Sequence, residues 1–391
     1  MTIIDLQDVI LGTMVLCVVG RLRMTRVRLF LAILALVLST HSIAWADHPS
    51  DQRRLQELVE ALRMENGIPG ISVAIARGGS RPLLAAAGFS DVENEVPVTP
   101  ETSFFIGSVS KNLFAAVVLM LAEEELIGLD DPLSKFIEWP RGDEVTVRML
   151  LDHTSGIPEY MTEEIFQADE GDIPEFFKKR RSPTDILAMM PSHELLFDPG
   201  SKQDYCNTNF ILVGLIIEKV TEKPLAVVLE ERVAKPMRLE RMFLYGESTA
   251  ARARARGYSG ATQWGAVDGE LVDCTFADNA LPDSADGSVV TSAADLLGYH
   301  RALRNGELLT PTSWEAMNTV KPGMHNGLSY LLGEGPFGPY AGNVGRAMGH
   351  VAFTVYFSDH DLYVVMLLNR GDSQIRLGQL LESWLDTGAS H

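Results

Sequence analysis

The run Gly107-Ser108-Val109-Ser110-Lys111-Asn112-Leu113-Phe114-Ala115-Ala116-Val117-Val118-Leu119-Met120-Leu121-Ala122 decides the fold. After Lys111 it is apolar on nearly every side of a helical wheel, which predicts a helix buried all round. A helix that begins at Ser108 puts positions i and i+3 on one face, so the Lys111 amine reaches the Ser108 hydroxyl. Ser108 then stands at the helix N-terminus. There the free N–H groups and the positive end of the dipole favour an oxyanion.

A serine hydroxyl needs a base before it becomes a nucleophile. Two candidates are present: Lys111, if burial keeps it neutral, and Tyr205 in Tyr205-Cys206-Asn207, about a hundred residues later. These residues leave both open. Asn207 adds an amide suited to holding Lys111 or a substrate carbonyl. No other serine has lysine at i+3, and no other tyrosine has asparagine at i+2. Ser108, Lys111 and Tyr205 are therefore the candidate catalytic residues of a serine hydrolase.

These segments resemble the serine β-lactamase and penicillin-binding family, in particular its class C β-lactamase, D-alanyl-D-alanine peptidase and esterase branch. Phe105 to Lys111 is similar to the nucleophile segment, and Leu150-Leu151-Asp152-His153-Thr154-Ser155-Gly156-Ile157-Pro158 to the loop that follows it. Pro199-Gly200 through Tyr205 to Phe210 is similar to the second motif, and Ala285 to Leu296 to a later loop and helix start. The resemblance implies acylation of Ser108, with Lys111 and Tyr205 handling protons.

The branch also carries His-x-Gly, or Lys-Thr-Gly in the lactamases, on a strand lining the site. Gly349-His350-Val351-Ala352-Phe353 is the stretch read as its counterpart: His350 takes the first position, Ala352 replaces the glycine, and the following turn looks shortened. Asn207, His350 and Ala352 are accordingly the expected substrate-binding residues. A displaced strand amide would weaken an oxyanion hole by roughly a hundred- to a thousand-fold. This motivates a second expectation, a catalytically weakened penicillin-binding or sensing protein of the same fold. Lys321-Pro322-Gly323 is rejected as a substitute motif, because proline removes a ladder hydrogen bond and Pro-Gly reads as a turn.

Other chemistries find little support. No serine lies in Gly-x-Ser-x-Gly, and the nine histidines show neither His-x-His nor His-Glu-x-x-His spacing. No metal and no cofactor is expected. Asp359-His360-Asp361 reads as a polar hairpin turn, His153 as a brace, and Arg252, Arg254 and Arg256 as a solvated strand or loop. Cys206 and Cys274 are too few for a disulfide framework, and Cys206 reads as a packing residue.

The element order fixes the architecture. Leu55, Leu58, Val59 and Leu62 share a helical face, and Ile71–Ala76 and Leu83–Ala87 read as paired strands. The middle reads as helices and long loops. Thr354–Phe357 and Leu362–Leu368 are strands again, closed by a helix with Leu377, Leu380, Leu381 and Trp384 inward. The fold class is therefore α/β (mixed α+β): an antiparallel sheet flanked by helices, built from both chain ends, with an inserted all-α lobe. Its boundaries are read as 47–110 with 285–391 for the sheet lobe and 111–284 for the helical lobe.

The 391 residues carry a net charge of −19, which argues against nucleic acid and anionic membrane as partners. A small-molecule or peptide substrate is expected; the oligomeric state is not legible. Met24-Thr25-Arg26-Val27-Arg28, the apolar Leu29–Leu38 and Ala44-Trp45-Ala46 read as a signal peptide within residues 1–46, placing the enzyme in the periplasm or outside the cell. If retained, that segment becomes an N-terminal anchor. N-terminal sequencing of secreted material is expected to begin at Asp47; a mature protein that begins at Met1 or Met24 refutes cleavage.

Overall fold

The computed structural model describes residues 49–167, 172–246, 253–261, 264, 266, 270–324 and 326–386. The export segment and Arg252 lie outside them. Helix α1 (Pro49–Glu65) leads into strands β1 (Gly70–Arg77), β2 (Leu83–Asp91) and the short β3 (Val96–Pro97). The last strands are β4 (Leu331–Gly335), β5 (Gly338–Arg346), β6 (Val351–Phe357) and β7 (Leu362–Leu368). Together they form one antiparallel seven-stranded sheet in the order β3-β2-β1-β7-β6-β5-β4. The two chain ends meet at its centre, where Ile71 pairs with Leu368 and Ala76 with Tyr363.

Strand alternation sends successive side chains to opposite faces. Ala352, Thr354, Tyr363, Val365 and Leu367 face one way, toward the buried helix α2 (Ser110–Glu123) and α4 (Ala293–Arg304). Between those two helices in the chain lies α3 (Thr208–Thr221), which packs against α2. The opposite face carries α1 and the last helix, α5 (Leu377–Asp386), tied together by Arg54, whose guanidinium bonds the Ser383 carbonyl at 3.0 Å and lies 4.6 Å over the Trp384 ring.

Local chemistry explains the ends of these elements. Helix α4 begins where expected, with Ser292 Oγ accepting the Asp295 N–H at 3.2 Å. Asp361, in the left-handed region, closes the turn between β6 and β7, as the polar hairpin expectation required. Helix α2 starts two residues after Ser108: Gly107–Val109 form a 3₁₀ turn that runs straight into it.

Two expectations need correcting. The lobe read as 111–284, mostly helices and long loops, also holds short strands, some of them paired with segments outside it. Phe104–Phe105, Val289–Thr291 and Phe243–Leu244 form a small three-stranded sheet, and Tyr258–Ser259 pairs with Val272–Asp273. Strands also return earlier than Thr354, because Leu331–Arg346 is a hairpin. Its five glycines and two prolines break the alternation that marks a strand. At least one glycine is obligatory, since a Cβ on Gly342 would enter the β6 backbone at Thr354.

His300 of α4 ties the helical layer to the sheet. It is buried between the Tyr330 hydroxyl at 2.6 Å and Thr354 Oγ1 at 2.9 Å. Burial, and then the charge of Arg304, push its pKa from 6.5 to about 3. The unfolded chain therefore takes up a proton that the folded one refuses. This contribution to stability is complete above about pH 6.5 and shrinks as the pH falls toward 3. Lowering the pH from 7 to 5 is expected to cost about 2 kcal/mol through this ring. Urea titrations at the two pH values check this, and a His300→Gln variant should show a shallower loss.

Candidate active site

Ser108, Lys111 and Tyr205 come together in a cavity of about 370 Å³ that is also lined by Asn326, Ser329 and Asn343. Ser108 Oγ lies 2.7 Å from the Tyr205 hydroxyl and 3.1 Å from Lys111 Nζ. Lys111 is 1% exposed, and its Nζ also reaches Asn207 Oδ1 at 2.8 Å and the Asp286 carbonyl. Three oxygens thus stand within hydrogen-bond reach of Lys111 Nζ. The Tyr205 ring lies 5.1 Å from that nitrogen, and about half of the tyrosine is exposed to the cavity.

Each of these groups has a support. Asn207 precedes α3, and its backbone N–H and Nδ2 both donate to Glu159 Oε2, at 2.5 and 3.1 Å. That leaves Asn207 Oδ1 aimed at Lys111. The Asp286 carboxylate is held by the Tyr160 hydroxyl at 2.8 Å and by Ser284 Oγ, which fixes the carbonyl that Lys111 bonds. Burial, together with the charge of Asp286, drives the Tyr160 phenol well above its ordinary pKa, so it remains a donor.

His153 braces rather than reacts. It occupies the left-handed region at φ +60°, with its ring 4.6 Å from that of Tyr205. Its Nδ1 accepts the Cys206 N–H at 3.2 Å and its carbonyl accepts the Asp204 N–H at 2.8 Å, so one residue pins both neighbours of Tyr205. Burial and the nearby Lys111 charge push its pKa down to about 3, which keeps a second cation out of the site. Cys206 is buried, and desolvation lifts its thiol to about 12, as befits a packing residue.

The expected third motif does not reach the cavity. His350 is 1% exposed, with Nδ1 bonded to the buried Asp278 at 2.8 Å and its ring against Phe104 and Phe105. Ala352 is fully buried within β6. The strand beside Ser108 is β5, and Asn343-Val344-Gly345 occupies the place assigned to His350-Val351-Ala352. The error was one of register: the glycine is present seven residues earlier, and the turn between β5 and β6 is intact. His350 and Asp278 hold that turn, because Asp278 also accepts the Gly349 N–H at 3.1 Å. Lys321-Pro322-Gly323, rejected above, is a turn whose lysine pairs with Asp152 at 2.7 Å.

Two backbones meet here with no side chain between them. A Cβ on Gly345 would fall 2.9 Å from the Ser108 nitrogen, and one on Gly107, at φ +51°, would fall 2.7 Å from the Arg346 nitrogen. Ala347 and His350 form a bonded pair between β5 and β6, so alternation turns the Arg346 N–H away from β6. Strand β4 ends its pairing at Gly342, which leaves Asn343–Arg346 as an open edge. The Ser108 and Arg346 amides thus converge beside the Ser108 hydroxyl, the arrangement of an oxyanion hole. Sequence reasoning missed Arg346, Asn343 and Glu159; the glycine of Asn343-Val344-Gly345 was the signal available for the first two.

The sequence profile of the family Beta-lactamase matches residues 54–380. Protein flp of Staphylococcus aureus (strain MW2) is 25% identical over 296 residues, 74% of this chain. The chain spans 55% of the length of that relative. Among solved structures, D-amino acid amidase from Ochrobactrum anthropi SV3, complexed with L-phenylalanine amide, superposes with a TM-score of 0.74 at 23% identity, covering 87% of this chain and 99% of its own. The D-stereospecific amidohydrolase from Streptomyces sp. gives 0.69 at 26% identity, covering 85% and 98%. The chain belongs to the Beta-lactamase family, and its sheet flanked by helices is the fold of these neighbours.

The buried His350 and the site residue Asn207 give contrasting variants. His350→Gln is expected to lower stability by about 1–3 kcal/mol in urea unfolding, through a weakened buried bond to Asp278, with KM for a soluble ester changed less than about twofold. Asn207→Leu removes an acceptor from Lys111 and should reduce kcat at least about tenfold.

Proposed function

We propose, with membership of that family as the premise, that the chain is a serine hydrolase working through an acyl-enzyme on Ser108. The observation that carries this is the pair of contacts at Ser108 Oγ, 2.7 Å to the Tyr205 hydroxyl and 3.1 Å to Lys111 Nζ. With all three Lys111 donors engaged, Tyr205 is the group free to move a proton. In the reacting form Tyr205 has given its proton to solvent and is a phenolate beside a protonated Lys111; Ser108 Oγ attacks the carbonyl carbon while its proton passes to that phenolate oxygen. Lys111 offsets the negative charge on the tyrosine during that transfer. The Ser108 and Arg346 N–H groups receive the oxyanion. Tyr205 then protonates the leaving amine or alcohol as the carbonyl re-forms. Water repeats the sequence on the acyl-enzyme, giving up a proton to Tyr205 and releasing Ser108.

The substrate is an uncharged ester or amide. The basic first position of the third motif is here the neutral Asn343, whose Nδ2 is committed to the Ser329 carbonyl at 3.0 Å. Alternation puts the Arg346 side chain on the other face of the sheet, where its guanidinium bonds the Gly371 carbonyl at 2.9 Å. Among the described residues, the cations lining the cavity are Lys111 and Arg346, and neither stands at the first position of the third motif, which favours esters and simple amides over β-lactams. The neighbours, a D-amino acid amidase and a D-stereospecific amidohydrolase, support an amide within that substrate class. Export, read from Ala44-Trp45-Ala46, remains part of this proposal.

The weakened-sensor alternative drew its motive from the altered strand at His350. With Gly345 and an intact turn beside Ser108, that motive is gone.

A fluorescent phosphonate is expected to label the wild type and not Ser108→Ala. Tyr205→Phe should lower kcat on p-nitrophenyl acetate by about 10²–10⁴ with KM little changed. Nitrocefin should turn over more slowly than the ester. Undiminished ester turnover by Ser108→Ala would remove the proposal.

A further inference from the structure

A second cavity of about 400 Å³ adjoins the one at Ser108 and shares Leu331, Asn343 and Val344 with it. It lies on the opposite face of the sheet. Tyr340 and Val344 of β5 pair directly with Phe357 and Phe353 of β6, so all four point the same way. Phe337, from the turn between β4 and β5, and Leu377 and Leu381 of α5 complete the wall. The lining is almost wholly apolar, with Arg376 and Glu382 at the rim.

Three features make this a channel from the active site rather than a packing flaw. First, β4 stops pairing at Gly342, so the edge Asn343–Arg346 is uncovered and the two cavities meet around it. Second, Val344 is 45% exposed although it adjoins the glycine that touches the Ser108 backbone. Third, Gly378, in the first turn of α5, faces Phe337 with no side chain of its own in the space between. A Cβ there would sit 3.7 Å from the Phe337 ring, an ordinary contact. No clash of that Cβ requires glycine, and its effect is to keep space open over the aromatic floor.

We propose that this groove is a subsite for an apolar tail of the substrate, a linear alkyl or aryl group attached to the ester or amide cleaved at Ser108. The path from Val344 to Tyr340 covers about 13 Å of strand, room for a chain of roughly eight carbons. The tail lies along exposed aliphatic and aromatic surface while the scissile carbonyl sits at the Ser108 and Arg346 amides. The inference rests on the hydrolase reading above and adds its specificity.

Two series of esters, kept below their micellar concentrations, test it: p-nitrophenyl alkanoates from acetate to decanoate, and acetates of linear alcohols of matching length. Wild-type kcat/KM is expected to rise about three- to fourfold per methylene in one series, up to roughly eight carbons. Which series rises tells whether the acyl or the leaving group occupies the groove. Gly378→Phe fills the groove away from the catalytic residues. It should abolish the rise and leave acetate turnover within about twofold. Gly378→Ala, which adds only a methyl group, should keep the rise and show that the helix tolerates a side chain. A flat wild-type profile in both series, with normal acetate turnover, overturns the subsite and leaves the hydrolase standing. So does a rise that survives Gly378→Phe in a folded variant. Absence of both acetate turnover and Ser108 labelling instead removes the hydrolase reading, and this inference with it.

Discussion

A buried lysine whose Nζ lies among three oxygens organises this molecule. Lys111 is almost wholly removed from water, and an unpaired charge in that position would cost many kcal/mol. Its three acceptors come from three separate parts of the chain: the 3₁₀ turn at Ser108, Asn207 before α3, and the Asp286 carbonyl. The same contacts that offset its desolvation therefore draw together the turn, the helical middle and the C-terminal third. Glu159 and Tyr160 serve it indirectly, by fixing Asn207 and Asp286. Stability and catalytic geometry are coupled here through a single side chain.

The nucleophile, its cation and the tyrosine were legible in the sequence because their chemistry is local. A serine and a lysine three apart on a buried helix specify their own contact, and Tyr205 brings its partner Asn207 two residues along. The overall sheet was legible for a similar reason: β1, β2, β6 and β7 are apolar runs bounded by turn residues. The strand that completes the site was not. Hairpin Leu331–Arg346 is rich in glycine and proline, and its strand character comes from pairing with β6 rather than from propensity. Reading the motif by its histidine selected His350, whereas the close approach of two backbones depends on glycine. Only coordinates show that Gly345 and Gly107 face each other.

His350 illustrates how a residue with reactive chemistry can have a structural task. Paired with Asp278 beneath Phe104 and Phe105, it is sealed from substrate, yet it secures the turn that follows the Arg346 amide. His153 and His300 are also buried, and burial pushes the pKa of each well down. In three places the fold uses imidazole as a rigid, two-ended polar spacer.

The central pairing of β1 with β7 has a consequence for how the fold comes into being. Some three hundred residues separate Ile71 from its partner Leu368, so the sheet has no middle until the last strand has been synthesised. A nascent or truncated chain holds Ser108, Lys111 and Tyr205 but lacks the scaffold that brings β5 against them. The assembled site therefore depends on both ends of the chain being present.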